Sequence, residues 1–317
     1  MFRENDLILI TGTSGMVGSA VQRYFKQRGF KRLLTPKRHE MDLMNPQQVM
    51  DYVEQHRPDY VFMIGAKVGG IAANSADPVG FLSENVRMEL NLFEACLKHR
   101  PKKILFFGSS CVYPRDCPQP MKEEYLLTGP LEPTNEGYAL AKIMGLKLAQ
   151  YYHQQHQLLT ICPMPCNIYG TNDHFDFHRS HVLSALVRRF VDAKDSNVAD
   201  VTLWGTGSAL REFIHVDEVA DAIFFLMEKY DSSDIINVGT GREVSIRNLA
   251  LLIAKQVGYK GELKFDTSKP DGMPRKCLDI TRLSRLGWNS HISLEKGVTK
   301  TISEYRELKC QGVLSPS

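Results

Sequence analysis

LILITGTSGMVGSA, residues Leu7–Ala20, joins a short apolar run to a turn punctuated by three glycines and then to a segment of helical periodicity. In that order, strand, tight turn and helix, Gly12, Gly15 and Gly18 let the backbone turn sharply and lie close to a pyrophosphate. The N–H groups and dipole of the helix start favour the anion. Gly12, Thr13, Ser14, Gly15, Met16, Val17 and Gly18 are therefore candidate dinucleotide contacts. The competing reading is a plain strand-to-helix turn that binds nothing, and the placement of the glycines weighs against it. About twenty residues further on, an acidic side chain would accept from a ribose 2′-OH. Here the chain reads Thr35-Pro36-Lys37-Arg38. A guanidinium suits a 2′-phosphate, so Arg38, with Lys37 beside it, points to NADP(H) rather than NAD; as solvated loop charges the two would select neither.

Working outward, apolar runs alternate with helix-period segments through the first half of the chain. A helix over Met16–Gln27, the run Arg32–Leu34, a helix near Pro46–His56 and the run Tyr60–Gly65 come first. A long helix over Pro78–His99, the run Lys103–Gly108, a loop with several prolines, a helix over Tyr138–His156 and the run Leu158–Pro163 follow. Alternating units whose strands are apolar throughout predict an α/β fold, a doubly wound parallel sheet of Rossmann type covered by helices on both faces. After Gly170 the pattern is mixed: a polar loop (Thr171–Ser180), a helix over Val182–Asp192, the strand VTLW, and REFIHVDEVADAIFFLME, a strand running into a helix with Asp217 as its N-cap. The strand Ile235–Gly239 and a helix over Ser245–Val257 complete it. The expected division is a dinucleotide-binding domain over 1–170, to which segments from about 211–240 return, and a smaller mixed α/β substrate domain from 171–210 and 241–317.

Composition narrows the function classes. A 317-residue chain with 43% hydrophobic and 24% charged residues is that of an ordinary globular protein. A net charge of +3, spread without a basic block, excludes nucleic acid as an expected partner. No run approaches the ~18 apolar residues of a membrane span, and no signal peptide is visible. The seven cysteines (Cys96, Cys111, Cys117, Cys162, Cys166, Cys277, Cys310) are odd in number and lack metal-ligand spacing. No metal is expected, and free thiols in a reducing, cytoplasmic setting are.

Two further stretches carry chemistry. Tyr138 and Lys142 fall on one face of a helix, where an ammonium favours phenolate and would draw the tyrosine pKa down from about 10. A phenol so tuned can exchange a proton with a carbonyl or alcohol. Any helix can contain this spacing, so alone it is weak. GSSCVYP, Gly108–Pro114, ends an apolar run on two serines and a cysteine, which are either packing filler or the rim of a catalytic site.

Glycine turn, Ser109 at a strand end, then Tyr138 and Lys142: that order resembles the extended short-chain dehydrogenase/reductase family, whose members act on nucleotide sugars. Gly15–Ala20, Ala66–Ile71, Gly108–Pro114, Leu131–Lys142, Ser180–Phe190, Arg211–Ala220 and Lys269–Asp279 are similar, over nearly the whole chain, to members that epimerise and reduce a GDP-4-keto-6-deoxy sugar with NADPH. The resemblance implies that Ser109 hydrogen-bonds the reacting carbonyl, Tyr138 moves the proton and Lys142 also holds the nicotinamide ribose. It implies that Cys111 and His181 act as base and acid on opposite sides of the sugar ring, at C3 and C5. If the segment is extended, alternation returns Cys111 to the side of Ser109. Taken alone, Cys111 would be a small buried thiol and His181 a packed histidine at a helix start. Cys117, Cys162 and Cys166 are expected to be structural.

The same resemblance implies cofactor contacts from Ala66, Pro165, Ile168 and His181, and substrate contacts from Ser110, Asn167, Val182, Arg189, Trp204, Arg211 and Lys269. The cations would face the diphosphate. It also implies a homodimer built on the Pro78–His99 and Tyr138–His156 helices. The alternatives are a reductase of a related GDP-4-keto-6-deoxy-heptose, a synthase of a 3,6-dideoxy sugar that inverts C5 only, and a non-catalytic NADP-sensing protein.

Overall fold

The computed structural model describes residues 2–176, 180–269 and 271–313. The first half contains β1 (Ile8–Ile10), α1 (Met16–Gln27), β2 (Leu33–Leu34), α2 (Pro46–His56), β3 (Tyr60–Met63), α3 (Ile71–Ala76), α4 (Pro78–His99), β4 (Lys103–Phe106), α5 (Glu136–His156) and β5 (Thr160–Pro165). The second half continues with β6 (Asn167–Tyr169), α6 (Val182–Asp195), β7 (Asp200–Trp204), β8 (Leu210–His215), α7 (Val216–Lys229) and β9 (Ile235–Val238). It ends with β10 (Glu243–Ser245), α8 (Ile246–Val257), β11 (Glu262–Asp266), β12 (Arg275–Lys276), α9 (Thr281–Leu286) and α10 (Leu294–Cys310).

Six strands form one parallel sheet in the order β2-β1-β3-β4-β5-β9, the doubly wound α/β class the sequence predicts. Strands β1, β3, β4 and β5 are buried along their whole length, since helices cover both faces, and that is why they read as unbroken apolar runs. Helix starts are fixed locally. Asn45 accepts from the N–H groups of Gln47 and Gln48 ahead of α2, and Asp77 from that of Gly80 ahead of α4, each followed by a proline in the first turn. From β1 the chain goes outward to β2 and then crosses back to β3 on the other side. This reversal opens a crevice at the carboxyl ends of β1 and β3.

Two apolar cores divide the chain. One surrounds the large sheet and takes in Ile214, Val219, Ile223 and Ile236 from the second half. The other joins Leu183, Val187 and Phe190 of α6 to Leu249 and Ile253 of α8 and Val298 and Ile302 of α10. Two corrections follow. Leu278, Leu283 and Trp288, expected in the second domain, belong to the first core. Leu278 bridges Met121, Arg282 donates to the Ile235 carbonyl at 3.0 Å, and the Trp288 indole donates to Asp221 at 2.7 Å. Asp217 is not the cap of α7: β8 runs into the helix with no intervening turn, so His215 caps it, its Nδ1 accepting from the Asp217 N–H at 3.2 Å.

Strand β8 is the seam of the molecule, paired with β6, β10 and β12. Its Glu212, fully buried, accepts from the N–H groups of Thr240 at 2.6 Å, Gly241 at 2.7 Å and Leu278 at 2.8 Å. Among the described residues no helix is long and apolar enough to cross a membrane.

Candidate active site

The crevice between β1 and β3 is shaped by glycine. Gly12 has φ +72°, and a Cβ on it would lie 2.7 Å from the Gly65 Cα; a Cβ on Gly18 would overlap the Gly12 carbonyl. Gly15 precedes α1 without a side-chain cap, so the first-turn N–H groups stay open toward the crevice. Thr11 ties the two strand ends together: its Oγ1 accepts from the N–H groups of Ile64 at 3.0 Å and Gly65 at 2.9 Å and donates to the Phe62 carbonyl at 3.1 Å. Buried Asn85 on α4 fixes the loop beyond Ala66, accepting from the Lys67 N–H at 2.7 Å and donating to the Lys67 carbonyl at 3.0 Å. Arg38 stands on the loop after β2 with 79% of its side chain exposed, its Nε 3.2 Å from Asp42. The Met44 N–H, and then Arg38, hold the Asp42 carboxyl below its usual range. An open helix start, a crevice that tolerates no Cβ, and a cation at its rim fit a dinucleotide with a 2′-phosphate.

Beyond β4 the backbone stays extended only as far as Ser109 (φ −157°, ψ 143°). The Ser109 Oγ then accepts from the Cys111 N–H at 3.4 Å and caps a single 3-10 turn, Ser110–Val112. This corrects the alternation expected of an extended segment: a serine-capped turn, not a strand, sets Cys111 beside Ser109. Tyr138 enters from the start of α5. Gly137 before it is required by close packing, since a Cβ there would lie 2.7 Å from the Pro78 carbonyl of α4. One turn on, Lys142 is only 2% exposed, its Nζ 3.2 Å from Glu89 Oε1, 4.7 Å from the Phe106 ring centre and 5.9 Å from that of Tyr138.

The electrostatics differ from the expectation. Burial, and then the charges of Cys111 and Glu89, hold the Tyr138 phenol well above a tyrosine's ordinary pKa, with the Ser109 hydroxyl pulling the other way. Lys142, paired with Glu89, is not among the groups that pull the phenol down. Glu89 itself is pushed up to about 7 by burial, against the pull of Lys142. Burial also raises the Cys111 thiol, opposed by Lys276, Ser109 and Lys142. A phenol so placed keeps its proton at neutral pH and can donate it to an oxygen that gains negative charge.

The second unit supplies a different surface. Val182, Arg189 and Trp204 line a cavity of about 280 Å³ together with Ala185, Leu186, Leu203 and Ile246. Trp204 is 72% exposed, and the Lys269 Nζ lies 5.9 Å from its ring centre. Arg189 donates to the Thr202 carbonyl at 2.9 Å, and Arg211 to the Leu210 carbonyl at 2.7 Å, with burial pushing the Arg211 guanidinium down. Asn167 Nδ2 donates to the Glu212 carbonyl at 2.8 Å, bracing β6 against β8. Pro165 ends β5 opposite Val238, Ile168 pairs with Ile214, and Ser110 is buried in the 3-10 turn. His181 precedes α6 and makes no cap bond; its Nδ1 is 3.6 Å from Asp173, which raises the imidazole pKa against the effect of burial.

Ser109, Cys111, Tyr138 and Lys142 thus converge, while Val182, Arg189, Trp204 and Lys269 form a second group. His181 pairs with Asp173. Cys162 and Cys166 are buried and raised by burial, and all seven cysteines are unpaired. Among the described residues no His, Cys, Asp or Glu cluster could hold a metal. Glu89 and Asp173 escape sequence reasoning. The only signal for Glu89 is an acid one helical turn beyond Asn85 on an otherwise core-facing stripe, and for Asp173 an acid in the loop before His181.

Known proteins share this layout. A sequence profile described as the NAD dependent epimerase/dehydratase family matches residues 8–239. The chain is 47% identical over 307 residues to a putative GDP-L-fucose synthase 2 of Arabidopsis thaliana, covering 97% of this chain and 94% of that protein. It is 46% identical over 309 residues to a GDP-L-fucose synthase of Escherichia coli K12, covering 95% and 96%. A solved GDP-L-fucose synthetase from Naegleria fowleri bound to NADP superposes with a TM-score of 0.90 at 27% identity, over 98% of this chain and 96% of that one.

Proposed function

The chain belongs to the NAD dependent epimerase/dehydratase family, and from that premise we infer that it is an NADP(H)-dependent enzyme that converts GDP-4-keto-6-deoxy-mannose to GDP-L-fucose, inverting C3 and C5 and reducing C4. The observation that carries this reading is the meeting of the Ser109 hydroxyl, the Cys111 thiol and the Tyr138 phenol above the buried Lys142.

NADPH, when bound, would supply the hydride that C4 receives. Ser109 orients O4, and Tyr138, which holds its proton, donates it to that oxygen as charge develops. Lys142 would hold the nicotinamide ribose. Protons at C3 and C5 are acidic because the C4 ketone stabilises the adjacent carbanion. Cys111 and His181 exchange these protons on opposite faces, and Asp173 favours the protonated imidazole. Gly12 to Gly18, Arg38, Ala66, Pro165 and Ile168 form the cofactor's surroundings. Arg189, Arg211 and Lys269 face the diphosphate, with the exposed Trp204 plane offered to the base and Ser110, Asn167 and Val182 near the sugar.

Two copies pair through α4 and α5, whose outer faces expose Val79, Leu82, Leu140 and Tyr151. Seven unpaired cysteines support a cytoplasmic setting. The scattered net charge of +3 supports neither nucleic acid nor membrane as a partner. The test is incubation with NADPH and GDP-4-keto-6-deoxy-mannose followed by NMR of the product. GDP-L-fucose is the expected outcome. Turnover only with a GDP-4-keto-heptose or a 3,6-dideoxy ketone would move the substrate, and no NADPH consumption with any of them would refute the reading.

A further inference from the structure

The reaction above gives Glu89 no task, yet its position is specific. It lies on α4, 4% exposed, and neither carboxylate oxygen makes a hydrogen bond; its partner is the Lys142 ammonium at 3.2 Å. Burying a carboxylate is costly unless an opposite charge offsets it, and burying that lysine alone would be costly in the same way. Space for the pair is left by Gly145, where a Cβ would lie 2.7 Å from Glu89 Oε2 and would overlap the Phe106 ring. The slot is therefore closed by β4 on one side and by α5 on the other. The titratable groups of α5 that face Glu89 are Lys142 and Tyr138; Cys111 faces Tyr138 from the strand end.

We propose that Glu89 is a positioning residue of the reduction: through its ion pair it seats the Lys142 ammonium beneath Tyr138 and sets the phenol to give a proton rather than to take one. This rests on the reading that Tyr138 protonates O4. An enzyme that draws a proton from an alcohol needs a phenolate and an unshared lysine charge beside it. Here the carboxylate shares that charge and adds a negative neighbour to the phenol, which suits a proton donor.

Glu89→Gln keeps the shape and removes the charge. The expected result is a roughly tenfold lower kcat for NADPH-dependent reduction with the sugar KM within about twofold, and an alkaline limb of the kcat–pH profile moved to lower pH. Glu89→Asp should keep that limb in place with kcat down about two- to threefold. In a Lys142→Met background Glu89→Gln should add nothing. A folded Glu89→Gln enzyme with wild-type kcat and pH profile overturns the proposal, and so does an undiminished effect in the Lys142→Met background. Should Glu89→Gln fail to fold, Glu89→Asp decides alone: a lowered kcat with an unmoved limb supports the proposal, and wild-type kcat overturns it. If the wild type reduces none of the keto sugars, the substrate reading falls separately. Glu89 is then scored on NADPH affinity, where several-fold weaker binding in Glu89→Gln supports it and equal binding overturns it.

Discussion

The cluster around Tyr138 and Lys142 and the cluster around Arg189 and Trp204 are built on opposite principles. Lys142 is 2% exposed and already paired, whereas Trp204 is 72% exposed beside an open cavity. The first lies between a central strand and two helices that bury it from both sides. The second lies on α6, β7 and the chain near Lys269, where few neighbours compete with solvent. On the proposed reading, the groups for chemistry are arranged before ligand arrives, while those for recognition are completed by the ligand itself. Groups in the first cluster should act on kcat and those in the second on KM.

The sharpest way to break that contrast is Tyr138→Phe, expected to lower NADPH oxidation by roughly 10³-fold or more while NADPH affinity stays within about threefold. A variant that keeps a tenth of the rate would remove Tyr138 from the chemistry. Cys111→Ser should slow solvent-deuterium incorporation at C3 and C5 about a hundredfold and leave cofactor binding intact, because a hydroxyl is a far weaker acid than a thiol and holds almost no ionised form near neutral pH. Mass spectrometry of recovered sugar reads this, and wild-type exchange would return Cys111 to a packing role. On the exposed side, Arg189→Ala and Arg211→Ala should each raise KM for the GDP-sugar about tenfold with kcat nearly unchanged; an equal fall in kcat would blur the two clusters. The smallest effect is expected at the seam. His215 is buried, its Nε2 without a partner, and burial lowers its pKa to about 4. A folded value below the unfolded one means this stabilisation is complete above pH 6.5 and is lost progressively as pH falls toward 4. Urea unfolding across that window, compared with His215→Gln, measures it, and parallel curves would discard it.

Much of the fold is legible because its signals are local. Leu7–Ile10 and Tyr60–Met63 are apolar throughout since both faces of their sheet are covered, and Gly12 and Gly18 stand where no side chain fits. Ser109, Tyr138 and Lys142 are legible from their order along the chain. What escapes depends on tertiary company. Glu89 reads as one more helix acid until α5 is laid against α4 with Gly145 opposite it. A single serine cap turns the chain at Ser110, defeating the extended reading, and a strand that runs straight into α7 shifts its cap to His215. Leu278 reaches the first core through Met121, more than a hundred residues away in sequence, which no local pattern reports.

Glu212 gathers N–H groups from Thr240, Gly241 and Leu278 onto one carboxylate inside β8. Its consequence is indivisibility. The two halves are braided rather than strung in series, so no single nick frees a self-standing piece. They should melt as one, and grafting a foreign recognition half onto this sheet would require several matched seams rather than a single linker.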